Sequence, residues 1–168
     1  MTLRPATALM LVASFACPAG AQSARCDFTA ATGDAQYSAT NVRAAPSPKG
    51  KVLMTIEATA PVEVHSVGRS GDWYRIDRVS DAEQDKILFR GTAWIHRSQL
   101  VLSVAGGDHR LYARPSKTSA ALMRLTPDGN LLDVIDCQGR WVKVVVDKAK
   151  TGWMAPDALC SNPMTTCS

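Results

Sequence analysis

The sequence of 168 residues has little of what catalysis and nucleic-acid binding require. It holds three histidines and five cysteines, and only 6% of its residues are aromatic. The formal net charge is +4, but the basic residues are spread along the chain without the dense block that follows a nucleic-acid backbone. No apolar run is long enough to cross a bilayer. We therefore expect no cofactor, no nucleic-acid partner and no membrane insertion.

The first 21 residues have the form of a secretory signal peptide. Arg4 supplies the positive charge, Ala6–Phe15 is a short apolar run, and Ala19–Ala21 is a small-x-small cleavage site. We predict a mature chain that is exported and soluble, either periplasmic or secreted. Acylation of Cys17 in a lipoprotein is the less favoured alternative, because the residues before it lack the usual aliphatic side chain.

Export leaves four cysteines in an oxidising compartment. They are Cys26, Cys137, Cys160 and Cys167. An even number of cysteines, without a Cys-x-x-Cys pair or a Cys/His cluster, favours two disulfides over a zinc site. Four cysteines can pair in three ways, and their spacing alone does not choose among them.

The chain contains one unit twice. Three segments of the first copy recur in the same order in the second: Asn41–Ser47 and Arg110–Ser116, Gly71–Trp73 and Gly139–Trp141, and Ala93–Leu100 and Gly152–Leu159. An ordered series of matches is not expected by chance, so we infer a tandem of two units of about 65 residues each.

Each unit is predicted to consist of short strands. Tyr74 and Ile76 alternate with Arg75 and Asp77, glycine-containing turns separate the β-rich segments, and no window has extended helical periodicity. The fold class is therefore all-β, with two small barrels in tandem. The first unit has additional residues around 80–85, which we interpret as a lengthened hairpin with a charged tip. A tolerated surface elaboration is the simpler interpretation of this insertion.

These residues resemble the bacterial Src-homology-3 (SH3) family. The resemblance rests on Asn41–Ser47, Gly71–Ile76 and Gly91–Leu100, with Ala93 replacing the usual glycine and Gln99 the usual aromatic residue. The second unit, with Leu111–Ser116, is a weaker match. With the signal peptide at 1–21 and an N-terminal arm at 22–38, the resemblance implies SH3-like barrels at 39–104 and 108–168, the second with a disulfide-tied tail.

Domains of this family commonly bind peptidoglycan or its peptide stems, and others are protein-binding adaptors. The resemblance therefore implies a non-catalytic exported module that docks on peptidoglycan. An envelope adaptor, or an inhibitor of a cell-wall enzyme, is the alternative. The candidate ligand-binding residues are aromatics and arginines near the two proline loops and the turns before the tryptophans: Arg43, Trp73, Tyr74, Tyr112, Arg114 and Trp141. For any one of these residues, a position in the wall of the barrel or on the solvated surface is the simpler interpretation.

The barrel layout also suggests a disulfide pairing. It places Cys137 beside Cys160, which leaves Cys26 to pair with Cys167. The competing arrangement joins Cys160 to Cys167 and Cys26 to Cys137. Hydrolases that carry such modules place a Cys/His peptidase domain beside them. Because the cysteines are explained as cystines and the histidines stand apart in sequence, we expect that this protein is not an enzyme.

Overall fold

A computed structural model describes residues 25–32, 39–58, 62–127, 130–162 and 167. The predicted signal peptide and the turn at Asp128 and Gly129 lie outside these residues. Regular structure in the described part consists of strands and two single-turn 3-10 helices, Arg97–Gln99 and Pro156–Ala158. None of its helices is long and apolar enough to cross a membrane.

The strands of the described chain follow in this order: β1 Phe28–Thr32, β2 Thr40–Arg43, β3 Val52–Ile56, β4 Val62–Ser70, β5 Trp73–Asp81, β6 Ile87–His96, β7 Leu100–Val104, β8 His109–Tyr112, β9 Ala121–Leu125, β10 Leu132–Gln138, β11 Trp141–Val146, β12 Lys150–Met154 and β13 Leu159–Cys160.

The two units share one arrangement of strands. In the first, the order across the sheet is β3-β2-β6-β5-β4, and in the second it is β9-β8-β12-β11-β10. In each, a hairpin that opens the unit pairs with the last strand of a three-stranded meander. The predicted tandem of all-β units is therefore confirmed at the level of strand order.

The two small barrels predicted from the sequence do not form as separate closed sheets. The described strands form one open path, in which β1 and β7 lie between β4 of the first unit and β10 of the second, and β13 pairs with β7. The strand β1 comes from the N-terminal arm, which the repeat pattern did not include. β1 pairs with β4 and β7, and β7 pairs with β10. These hydrogen bonds therefore join the two units and do not close either unit on itself.

The core follows the predicted alternation. Alternate residues of β4 and β11 are buried, and β5 buries Tyr74, Ile76 and Val79, with its alternation shifted by an irregularity between Ile76 and Arg78. The buried side chains of both units form one continuous cluster. Tyr74 and Ile76 belong to it, and both are fully buried. Because each unit alone would have a small core, the shared cluster stabilises the pair as a single body.

A compensated packing pair explains why the first unit has Ala93 where the family usually has glycine. The matching residue of the second unit is Gly152, where a Cβ would lie only 2.5 Å from Cγ of Leu111. The first unit carries the smaller Val42 at the position of Leu111. Both Val42 and Ala93 are fully buried, so the extra methyl on one strand is matched by one fewer on its neighbour.

The disulfides join Cys26 to Cys137 and Cys160 to Cys167, with Cα–Cα distances of 5.4 and 5.6 Å. The favoured prediction, Cys137–Cys160 with Cys26–Cys167, is wrong, and the competing arrangement is correct. The favoured prediction rested on two separate barrels. In the open sheet the arm runs beside the β10–β11 turn, where the Asp27 N–H donates to the Gly139 carbonyl at 2.7 Å. Cys160 instead lies on β13, which forms hydrogen bonds with β7, and its disulfide partner is Cys167.

Candidate ligand-binding groove

The first unit carries a surface groove where β2, the start of β5 and the end of β6 meet. Its volume is about 380 Å³. It is lined by Ala39, Asn41, Arg43, Pro48, Trp73, His96, Ser98 and Gln99. These residues come from the loops and strand ends at which the sequence predicted a ligand site.

Trp73 is held at one side of the groove by the turn that precedes it. Gly71 takes a left-handed conformation with φ of 58°, which lets the chain reverse tightly into β5. The Asp72 carbonyl accepts the Arg97 N–H at 2.8 Å, and the two side chains form an ion pair at 2.9 Å. The half-buried indole of Trp73 is therefore fixed against the segment that follows β6.

His96 packs against Trp73 and shapes the same side of the groove. Their ring centroids are 5.2 Å apart in an edge-to-face arrangement. His96 also caps the 3-10 helix, because its Nδ1 accepts the Ser98 N–H and lies 2.8 Å from the Ser98 hydroxyl. Because Nδ1 is used by the cap, Nε2 is the ring nitrogen that remains for a ligand.

Arg43 supplies the positive charge of the groove. Its Nη1 donates to the Gly50 carbonyl at 2.9 Å, which ties the side chain to the Pro46 loop. The guanidinium has five N–H donors in a planar fork, so donors remain for a carboxylate. The adjacent Asn41 and Gln99 each accept a threonine hydroxyl, at 3.1 and 2.7 Å respectively. The groove thus combines one cation, fixed amides and an aromatic ring.

The matching region of the second unit is occupied by its own side chains. Tyr112 stands at the position of Arg43, and its ring lies edge-to-face on Trp141 with centroids 5.7 Å apart. Lys117, at the position of Pro48, forms an ion pair with Asp157 at 2.8 Å. Hydrogen bonding to Lys117 holds the pKa of the Asp157 carboxyl below its usual range. This ion pair spans the place where the first unit remains open.

The structure brings some of the predicted site residues together and separates others. Arg43 and Trp73 line the groove, whereas Tyr112 and Trp141 contact each other in the second unit. Arg114 is exposed on the Pro115 loop, two positions beyond Tyr112 on the chain.

The prediction for Tyr74 does not fit its placement. Its ring is fully buried, edge-to-face on Phe28 at 5.6 Å, and burial raises the pKa of its hydroxyl above the ordinary range. The alternation that buries Ile76 buries Tyr74 on the same face. Sequence reasoning also missed His96 as a groove residue. The signal was available, because His96 ends the strand that pairs with Trp73.

Other titratable side chains lie outside the groove. His65 stands between two carboxylates, with Nδ1 at 2.8 Å from Asp77 and Nε2 at 3.3 Å from Asp27. His109 contacts the Gly106 carbonyl at 2.9 Å. Within the described ranges, no three His, Cys, Asp or Glu residues are arranged to hold a metal ion.

Comparison with known proteins gives a family and a few remote structural likenesses. The family model described as bacterial SH3 domain matches twice, at residues 38–101 and 106–159. No curated protein matches the chain.

Among solved structures, the chain is similar to NlpC2 from Trichomonas vaginalis, with 13% identity, a TM-score of 0.30, and coverage of 80% of this chain and 48% of that one. It is also similar to NlpC1 from the same organism, with 14% identity, a TM-score of 0.31, and coverage of 83% and 47%. The chain spans about half the length of both proteins. The two family matches together cover most of the sequence, and the chain belongs to the bacterial SH3 domain family.

Proposed function

We propose that this chain is a non-catalytic binding protein that docks on peptidoglycan through the groove of its first unit. The observation that carries the proposal is the contrast between the units. In the first, Arg43, Trp73 and His96 surround an open groove, and in the second the matching positions are filled by Tyr112 and by the Lys117–Asp157 ion pair. One unit is thus built to receive a ligand, and the other is closed by its own side chains.

The groove chemistry suits the peptide stems of peptidoglycan. A stem offers carboxylates and amides on a short, extended backbone. Arg43 can bind a carboxylate through the guanidinium donors that its contact with Gly50 leaves unused. Asn41 and Gln99 present amides to the same groove, and the indole of Trp73 offers an apolar wall.

The covalent structure is compatible with the compartment in which peptidoglycan lies. The four described cysteines form two disulfides, which persist outside the reducing cytosol. The same bonds support a role without catalysis, because an oxidised cysteine cannot serve as a thiolate nucleophile. His65 contacts two carboxylates and His109 a backbone carbonyl, so neither is joined to a nucleophile by these contacts. His96 does contact the Ser98 hydroxyl, but its Nδ1 also accepts the Ser98 N–H as the cap of the 3-10 helix.

The test compares one substitution in each unit. Trp73→Ala removes the groove wall, whereas Trp141→Ala removes the matching half-buried ring from the closed unit. We expect Trp73→Ala to raise the Kd for purified sacculi about tenfold, as for a central aromatic contact, and Trp141→Ala to leave it within about twofold. Thermal unfolding of both variants checks that they remain folded. Equal Kd values for wild type and a folded Trp73→Ala protein would overturn the proposal.

The lengthened hairpin favours a second candidate function, the binding of an envelope protein. Ile87 and Leu88 are neighbours in sequence on this hairpin, and their exposed fractions are 45% and 40%. Its tip is ordered by the Asp81 carboxylate, which accepts the N–H groups of Glu83 and Gln84 at 2.9 Å. A fixed tip beside exposed apolar side chains is a plausible protein contact.

The adaptor hypothesis predicts that Ile87→Ser/Leu88→Ser abolishes capture of a specific envelope protein while sacculus binding is retained. A chain lacking residues 80–85 should behave in the same way. Unchanged capture by both variants would exclude the hairpin as the contact.

A further inference from the structure

The outer face of the β5–β6 hairpin carries a group of arginines next to a tryptophan. Alternation along the two strands, shifted by an irregularity between Ile76 and Arg78, places Ile76, Val79 and Ala93 in the core. It leaves Arg75, Arg78, Arg90 and Trp94 on the opposite side, where all four retain solvent exposure. We refer to these four residues as the arginine face.

Strand register places these side chains close together. Arg78 lies directly opposite Arg90, and Arg75 lies directly opposite Trp94, whose other neighbour across the sheet is Arg43. Facing residues on neighbouring strands have Cβ atoms about 5 Å apart, and like charges in that position are destabilising. An arrangement that lowers the stability of the hairpin calls for a compensating role.

Within the part of the chain that the structure describes, no carboxylate lies within ion-pair distance of Arg75, Arg78 or Arg90. The nearest acidic residue in sequence, Asp77, is engaged by His65 at 2.8 Å. Nε of Arg75 is buried without a hydrogen-bond partner among the described residues. Buried donors usually have a partner, so the arginine face is incomplete as it stands.

The second unit also contains a pair of facing arginines, but a carboxylate accompanies it. Arg110 and Arg124 also face each other directly, on β8 and β9. There Asp108 supplies the missing charge and contacts Nε of Arg124 at 2.9 Å. Within the described chain, the Arg78 and Arg90 pair lacks such a carboxylate.

The residues at the matching strand pairs distinguish the arginine face from its counterpart in the second unit. There β11 and β12 pair Lys143 with Trp153 and Val145 with Thr151, so no two arginines face each other at this place. The facing pair of Arg78 and Arg90 is therefore a feature of the first unit.

We propose that the arginine face binds an anionic polysaccharide. The arginine forks would bind carboxylates along the polymer. The indole of Trp94, which is partly exposed, has an aromatic face with negative quadrupole on which the C–H groups of a sugar ring can stack. From Arg90 to Trp94 the strand covers about 13 Å, which suits a polymer better than a single ion. This ligand differs from the peptide stem, and the arginine face adjoins the groove through Arg43 but shares no residue with its lining.

The compartment argues for a glycan over a nucleic acid. The same arginines and indole could bind phosphates and stack on bases. Two disulfides are typical of an oxidising location outside the cytosol, where polysaccharides are the abundant polyanions. Single-stranded DNA and an acidic polypeptide are therefore controls in the test.

The test measures binding of the oxidised protein to immobilised polygalacturonate, with neutral dextran as the uncharged control. Arg78→Gln/Arg90→Gln is compared with Arg110→Gln/Arg124→Gln, which removes the same net charge from the other unit. We expect about a tenfold higher Kd for the first variant and less than a twofold change for the second. We also expect the wild-type Kd to rise steeply with salt and dextran not to bind.

Three results would overturn the proposal. They are no binding to polygalacturonate, equal losses for the two double variants, and tighter binding to poly-L-glutamate or single-stranded DNA than to polygalacturonate. Thermal unfolding checks that the variants remain folded. Removal of the facing charges should leave Tm unchanged or raise it. The result is separable from the groove hypothesis, because Trp73→Ala should bind polygalacturonate normally whether or not it binds sacculi.

Discussion

Removal of the two disulfides should have unequal effects on stability. In the chain-entropy description, a cross-link stabilises the fold by restricting the unfolded chain, and the effect increases with the length of the closed loop. The sequence separations are 111 for Cys26–Cys137 and 7 for Cys160–Cys167. These separations give about 4.8 and about 2.3 kcal/mol at 25 °C respectively. At about 3 °C for each kcal/mol, Tm should fall by about 15 and about 7 °C.

The assay is thermal unfolding of two double variants, followed by circular dichroism. Cys26→Ala/Cys137→Ala removes the bond that ties the arm to the second unit, and Cys160→Ala/Cys167→Ala removes the bond that ties the tail. Alanine is preferred to serine because Cys26 is fully buried, and a hydroxyl there would lack a partner. An equal or larger loss for the second variant would refute the reasoning. So would a Cys137–Cys160 peptide in a non-reducing digest of the wild type.

Two further predictions concern the core. Gly152→Ala should lower the free energy of unfolding by about 1–3 kcal/mol, because the new Cβ would meet Leu111. Adding Leu111→Val should restore most of this loss, as measured by denaturant titration. No restoration would contradict the compensated pair. Burial raises the pKa of Tyr74 above its unfolded value of about 10, so stability should be retained below that pH and decline as pH rises above it. Tyr74→Phe removes a buried hydroxyl that has no hydrogen-bond partner among the described residues. The variant should therefore show a weaker loss of stability at alkaline pH and no loss at neutral pH. A large loss of stability at neutral pH would show that the hydroxyl is hydrogen-bonded.

The sequence was most informative where the pattern is local. Strand alternation and the internal repeat indicated the all-β tandem, because side-chain period and turn residues depend on neighbours along the chain. The groove residues Arg43 and Trp73 were found for the same reason, since each belongs to a motif beside a turn. Tyr74 was misplaced although its alternation with Arg75 already assigned it to the face of Ile76.

The features that the sequence did not reveal depend on long-range pairing. The path of the N-terminal arm decides both the open sheet and the disulfides, and only one short strand, β1, carries that information. Its partners lie in β4 and β7, far along the chain. The closure of the second groove likewise requires Lys117 to meet Asp157, 40 residues away. Neither contact has a periodic signal.

The most direct test of the peptidoglycan-binding proposal is co-sedimentation of the oxidised chain, residues 22–168, with purified sacculi. A reduced and alkylated sample serves as the folding control, and Trp73→Ala and Trp141→Ala serve as the site and control variants. We expect saturable binding by the oxidised wild type and by Trp141→Ala, with weakened binding by Trp73→Ala. Absence of binding by the oxidised wild type, or equal binding by all the folded forms, would contradict it.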